Sequence, residues 1–170
     1  RGLLFNRKHT LLDPYAKAVT GQRNWGEKPE GGKDFVYKAR VVQSDFDWGR
    51  YRNLNYKFED LVIYEMHVRG FTKDASSGVK GGGTFEGLRQ KIPYLKDLGI
   101  NAVELMPIFE FDEMESARVV DGVQLYNYWG YNTVSFFAPN TSYAFHQEHN
   151  HEGDELKRLI RELKENGIEV

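Results

Sequence analysis

The stretch "YNYWGYNTVSFF", Tyr126 to Phe137, holds the densest chemical signal in this sequence. Six of its twelve residues are aromatic, and Tyr128, Trp129 and Tyr131 fall within four positions. Asn127 and Asn132 flank them. Flat rings with amides at their edges suit a ligand with apolar faces and a polar rim, and a sugar ring is such a ligand: its C–H faces stack and its hydroxyls take hydrogen bonds. The alternative is that these rings are core side chains beneath a long loop. Phe136 and Phe137 read that way, as residues that lead the chain inward. Composition alone leaves the two readings open for the rest.

Other reactive side chains carry less. His146, His149 and His151 stand in "HQEHNH", close enough on a loop to bring imidazoles together, but no cysteine or well-spaced carboxylate joins them. They read as a solvated polar turn, and no metal site is assigned. His67 lies within the apolar run "LVIYEMHV" and reads as a buried, hydrogen-bonded structural histidine of a strand. The acidic run Glu110, Asp112, Glu113 and Glu115 resembles a catalytic carboxylate set only superficially. Glycosidase carboxylates must flank one bond from rigid supports, and four acids on a mobile loop read as a solvated face. Glu65 and Glu104 sit inside apolar strands, where a buried acid needs a partner such as Arg69 or Lys96. "GVKGGG" matches neither dinucleotide nor P-loop spacing, so its glycines serve a sharp turn and no cofactor is expected.

The whole chain limits the classes available. Its 170 residues are enough for one ordinary domain with a core, and 40% hydrophobic and 14% aromatic content exclude a disordered chain. A net charge of −2 is no footprint for nucleic acid. Apolar runs are too short to span a membrane. The lack of cysteine fits a reducing compartment, and the expected location is cytoplasmic. The chain starts at Arg1 without methionine and ends at Val170 as an apolar segment begins, which leads us to expect a fragment of a longer protein.

The pattern of apolar and polar residues predicts the elements that position these groups. Residues 1–60 alternate short apolar pieces ("GLLF", "TLLDPYAKAV", "DFVYKARVV") with polar, glycine-rich joints ("GEKPEGGKD"), and read as strand ends plus an ordered linker. "SDFDWGRYRNLNYKFED" suits a segment that wraps over another surface. Regular structure begins at residue 61. Leu61–Val68 reads as a strand buried on both faces, and residues 69–83 as a long loop. Thr84 caps a helix whose apolar face is Phe85, Leu88, Ile92, Leu95 and Leu98; Pro93 is a defect inside it, and Gly99 stops it. "INAVELMPI" is a second buried strand. A long excursion over 109–151 precedes a helix from Asp154 with Leu156, Leu159, Ile160 and Leu163 on one face, and "IEV" opens a third strand. This alternation implies an α/β fold with a parallel sheet, either doubly wound or a (β/α)8 barrel. In both, ligands bind at the carboxyl ends of the strands, where the two long loops lie.

The segments "LVIYEMHVRGFT", "GTFEGLRQKIPYLKDLGINAVELMPIFEFDE", "NYWGYNTVSFFAPNTSYA" and "DELKRLIRELKENGIEV", in this order, resemble the isoamylases and bacterial glycogen-debranching enzymes of the α-amylase superfamily, glycoside hydrolase family thirteen. "GLLFNRKHTLLDPYAKAVTG" resembles the exit from that family's N-terminal starch-binding β-sandwich. The resemblance implies that 1–60 is this exit plus a linker, and that 61–170 is the N-terminal portion of a (β/α)8 TIM barrel. It implies a retaining glycosidase acting on branched α-glucans such as glycogen, amylopectin and limit dextrin, at α-1,6 branch points. Tyr131 matches the family tyrosine that stacks on the sugar at the cleavage subsite, and Trp129 and Asn127 match neighbouring pocket positions. None of the three catalytic acids has a counterpart here, and no metal ligand set carries over. The fragment alone is expected to be inactive. Alternatives within the resemblance are an α-1,4 amylase, a pullulanase, or a non-catalytic glucan-binding derivative.

Overall fold

A computed structural model describes residues 8, 10–21, 23–28, 36–50, 52–146, 148 and 150–170. The piece "GLLF", part of the joint before Phe35, and His149 lie outside the described residues. The regular part opens with strand β1 (Ile63–Met66), which pairs in parallel with β2 (Ala102–Leu105), Ile63 beside Ala102 and Met66 beside Leu105. Beyond β2, Glu169 extends the sheet in the expected direction: it bridges Ala102 in parallel, and Val103 N–H donates to its carbonyl at 2.8 Å.

Between the strands run α1 (Val68–Thr72), α2 (Phe85–Arg89) and α3 (Ile92–Asp97); α4 (His151–Glu165) leads to the third lane. Phe85, Leu88, Ile92 and Leu95 recur at helical spacing and pack with Leu156, Leu159 and Leu163 of α4 against Met66 and Val103 of the sheet. Arg89 clamps α2 to α4, contacting Glu86 at 2.7 Å and Glu162 at 2.8 Å.

Several details depart from the sequence reading. The helix after Thr84 is two helices, because the chain breaks at Gln90–Lys91 and Pro93 sits in the first turn of α3. There its missing N–H costs nothing, so it starts a helix instead of damaging one. Residues 69–83 are not all loop: α1 occupies their start. The first strand ends at Met66, and His67 caps α1 rather than lying within the strand. Nor is that strand buried on both faces. Tyr64, Met66, Val103 and Leu105 face the helices, whereas Ile63, Glu65 and Glu104 are exposed on the opposite face. Glu65 and Glu104 therefore stand side by side in solvent and need no buried partner.

The excursion over 109–151 has its own architecture. β3 (Phe109–Phe111) pairs antiparallel with β6 (Thr133–Pro139), with irregular register at Glu110. β4 (Arg118–Val120) and β5 (Val123–Leu125) form a separate ribbon. Its turn, Asp121–Gly122, has both residues at positive φ, +50° and +80°, which is the two-residue hairpin geometry that Asp–Gly favours. Phe136 and Phe137 do not lead inward: Phe136 is 65% exposed, and Phe137 stacks on Tyr15 at 5.5 Å near the surface. Ser135 and Ala138 are the buried residues on either side of them, and this odd spacing accompanies the irregular register of β6 against β3.

The N-terminal segment lies over these elements. Ala16 and Val19 pack on Ala138. Asp47 accepts from Arg161 at 2.8 Å, Phe46 lies beneath Arg161, and Tyr56 donates to the Gly167 carbonyl at 3.0 Å. Within "SDFDWGRYRNLNYKFED", Ser44, Phe46 and Asp47 thus lie across α4, and Leu54 and Tyr56 meet the start of the third lane.

Candidate functional site

The aromatic cluster is built on a glycine and a histidine. Gly130 has φ +77° and lies against the Phe111 ring, where a Cβ would collide with ring carbons. Only glycine combines that backbone angle with that approach. The tight bend turns Trp129 and Tyr131 outward, 53% and 71% exposed. The rings of Tyr128 and Tyr143 stay below.

His67 ties this bend to the sheet. Its Nδ1 accepts from Gly70 N–H at 3.0 Å, capping α1, and its Nε2 lies 2.8 Å from the Tyr128 carbonyl. Since Nδ1 accepts, the ring proton belongs on Nε2 and is donated to Tyr128. Burial lowers the pKa of His67 and keeps it neutral, as this double role requires. Its ring also stacks on Tyr128 at 4.1 Å. His67 is thus the structural histidine that the sequence suggested, and it joins the loop after β1 to the loop after β2.

Trp25 completes the platform from below. It stacks on Tyr143 at 6.2 Å, meets Phe111 and Tyr128 edge-on, and carries the Arg69 guanidinium 4.5 Å above its ring. Sequence reading passed over this residue. It lies in "RNWG", without periodic neighbours, and only tertiary contact reveals its part.

Asn127 is turned partly inward. Its N–H donates to the Glu113 carbonyl at 2.9 Å and its Nδ2 to the Asp112 carbonyl at 3.3 Å. Asn132 donates to the Glu115 carboxylate. The acidic run is therefore not a solvated, mobile face. Glu110 and Glu113 are each 1% exposed. Glu110 accepts from Thr141 N–H at 2.7 Å, and Burial pushes its pKa up to about 8, against the pull of that hydrogen bond. Glu113 is pushed up to about 7, again mainly by burial. The Ser142 hydroxyl has one proton but lies 2.7 Å from Glu113 and 2.6 Å from Asn140 Oδ1. A protonated Glu113 resolves that conflict by donating to Ser142. The two acids pin β3 and its following turn to the 141–143 turn; regular alternation was the missing signal, because the run straddles a strand end.

His146 Nδ1 contacts the buried Glu155 carboxylate at 2.7 Å, and His151 contacts Glu148 at 2.9 Å. Among the described residues, no group of three or more His, Cys, Asp or Glu side chains is placed to hold a metal. No helix among them is long and apolar enough to cross a membrane.

The family described as "Alpha amylase, catalytic domain" matches residues 35–170. The chain is 40% identical to isoamylase 1, chloroplastic, of Arabidopsis thaliana, over 99% of its own length and 23% of that protein. It is 44% identical to isoamylase 3, chloroplastic, of Oryza sativa subsp. japonica, over 100% of its own length and 22% of that protein. Among solved structures, a pullulanase from Anoxybacillus sp. LM18-11 complexed with maltotetraose superposes with a TM-score of 0.69 at 30% identity, covering 93% of this chain and 23% of that one. The chain thus spans less than a quarter of the length of these relatives. With the family match running from the linker through β1, the aromatic bend and α4, this chain belongs to the α-amylase catalytic-domain family.

Proposed function

We propose that this chain is the N-terminal part of a glycogen- or starch-debranching glycoside hydrolase that cleaves α-1,6 branch points of glycogen, amylopectin or limit dextrin with retention of configuration. The observation that carries this reading is the similarity to isoamylases along essentially the whole chain. In this reading 1–60 is the exit of an N-terminal starch-binding β-sandwich plus a linker, and 61–170 begins a (β/α)8 barrel. The parallel order of β1, β2 and the Glu169 lane supports that assignment. The absence of cysteine supports a cytoplasmic location.

Tyr131 stacks on the glucose ring at the cleavage subsite, and Trp129 forms a neighbouring wall. Their exposure on a bend held by Gly130 and His67 supports this role, because a stacking ring needs an open face and a rigid base. Asn127 stiffens the pocket wall, since its donors are engaged by the acidic turn. The catalytic acids belong to the rest of the barrel, so the 170-residue chain alone releases no reducing ends.

The test is hydrolysis by the natural polypeptide that carries this chain. Glycogen and limit dextrin should yield linear chains while amylose stays intact. Cleavage of amylose would move the reading to an α-1,4 amylase, and turnover by the isolated chain would refute the division of labour. Tyr131→Ala should lower kcat/KM on limit dextrin roughly 5- to 30-fold, corresponding to ~1–2 kcal/mol of stacking; unchanged kinetics would remove Tyr131 from the site.

A further inference from the structure

The turn that carries Trp25 lies ahead of residues 35–170, the stretch matched to the catalytic-domain family, yet it is seated under the aromatic bend. Its own residues close it. Glu27 N–H donates to the Asn24 carbonyl at 3.2 Å, and Asn24 Nδ2 donates to the Glu27 carboxylate at 3.0 Å. Gly26, at the third position, has φ +77°, the left-handed conformation that a type II turn requires there. Arg23 N–H donates to the Thr141 hydroxyl oxygen at 3.3 Å and ties this turn to the 141–143 turn. Trp25 and Gly26 thus stand at the corner of a turn that is fixed before any ligand arrives.

Alternate residues of the bend rest on that corner. The Tyr126 ring lies against Gly26, where a Cβ would stand 2.9 Å from a ring carbon. Two positions on, Tyr128 meets the Trp25 ring edge-on at 6.2 Å. A further contact is indirect: Trp25 meets Phe111 at 5.8 Å, and Phe111 is the ring against which Gly130 bends. The exposed pair is therefore bracketed. Tyr128 directly precedes Trp129 and packs on it at 5.0 Å, and Gly130 separates Trp129 from Tyr131. Trp25 itself is half-buried at the edge of the core and held by Tyr143 and the Arg69 guanidinium. It touches the supports of the exposed rings rather than the seam between sheet and helices.

We propose that Trp25 is a positioning residue for the glucan-binding bend: the Trp25–Gly26 turn, from the segment ahead of β1, sets the angle at which Trp129 and Tyr131 meet a glucosyl ring. Its effect runs through Tyr128 and through the Phe111 seat of Gly130. This rests on the glucan reading above and extends the working site to a stretch outside the matched catalytic domain. A stacking surface depends on such support, because a small displacement of its rings forfeits contact along their whole faces.

The test is a double-mutant cycle on the natural polypeptide, read by maltotetraose binding in calorimetry and by kcat/KM on limit dextrin, with the melting temperature as a check that each variant folds. Trp25→Leu should weaken maltotetraose binding about tenfold and lower kcat/KM in parallel. Trp25→Phe, which keeps a ring, should recover most of the loss. In a Tyr131→Ala background the same Trp25→Leu change should cost about threefold or less, since the ring it positions is gone. A Trp25 that serves the fold alone would lower the melting temperature and cost the same factor in both backgrounds. Equal factors in the two backgrounds overturn the proposal, and so does a maltotetraose Kd that Trp25→Leu leaves unchanged. If Trp25→Leu does not fold, Gly26→Ala replaces it in the cycle: it displaces the Tyr126 ring, and its loss should likewise shrink when Tyr131 is alanine, whereas an unchanged Kd or equal factors overturn the proposal. An absence of saturable maltotetraose binding to the unaltered protein overturns the glucan reading and the proposal with it; binding that is present but indifferent to Trp25 overturns the proposal alone.

Discussion

Gly130 and Glu110 show how single positions hold the platform. At Gly130 a side chain would meet both an unfavourable backbone angle and the Phe111 ring. Gly130→Ala should therefore destabilise the fold by about 2–4 kcal/mol, adding left-handed strain to overpacking; a denaturation midpoint equal to that of the unaltered chain would refute the account. Glu110 makes a prediction about pH. Its folded pKa, about 8, lies above the ordinary carboxylate value. The folded state thus holds a proton that the unfolded chain releases, and stability is fullest below about pH 4.5 and declines as pH rises toward 8. Glu113 and Glu152 add to the shift, so they act in the same direction on this site. Glu110→Gln mimics the protonated acid and should flatten the fall in melting temperature between pH 5 and 8. An equally steep fall in the variant would show that Glu110 is not the titrating group. Neither residue's role was readable from its neighbours in sequence. The positive φ of Gly130 and the burial of Glu110 both arise from contacts across the excursion.

At the scale of elements, periodicity was a good guide wherever one face is covered by one layer. Leu156, Leu159 and Leu163 on α4, and Phe85, Leu88, Ile92 and Leu95 on α2 and α3, are core residues as their spacing predicts. Periodicity failed at junctions. The apolar phase carries on across the break at Gln90–Lys91, so two helices looked like one with a faulty proline. Pro93→Ala should then change stability by less than about 1 kcal/mol, since an N-terminal proline costs no hydrogen bond. A gain of about 3 kcal/mol in thermal or denaturant unfolding would show that Pro93 interrupts one continuous helix after all. The reading of residues 109–151 as an excursion was right about its start, but α4 begins at His151, three residues before the expected Asp154. The same reading missed β3, β4, β5 and β6, whose short lengths and irregular register leave little alternation to detect.

At the scale of the molecule, the sheet has one covered face. Helices cover Tyr64, Met66, Val103 and Leu105, and the opposite face exposes Ile63 beside Glu65 and Glu104. An uncovered sheet face of this kind promotes association. The 170-residue chain alone should therefore self-associate in sedimentation velocity, and Ile63→Lys should reduce it; a monodisperse monomer with a sharp cooperative melt would count against this. The apolar run Leu61–Val68 made the strand look buried on both sides because residue type records the environment a strand is made for. It does not record which layers are contained in one stretch of sequence.

The order of motifs in the sequence was enough to indicate the α/β class, the family, the core faces of the long helices and the aromatic bend as a candidate platform. These are local properties: repeat spacing, turn chemistry and runs of residue type persist whatever the chain later contacts. Tertiary structure alone decided that Phe136 faces outward, that Glu110 and Glu113 are buried anchors, and that Trp25 supports the platform. Each of these depends on residues far apart in the chain meeting at short range, and such meetings leave no periodic mark on the sequence that makes them.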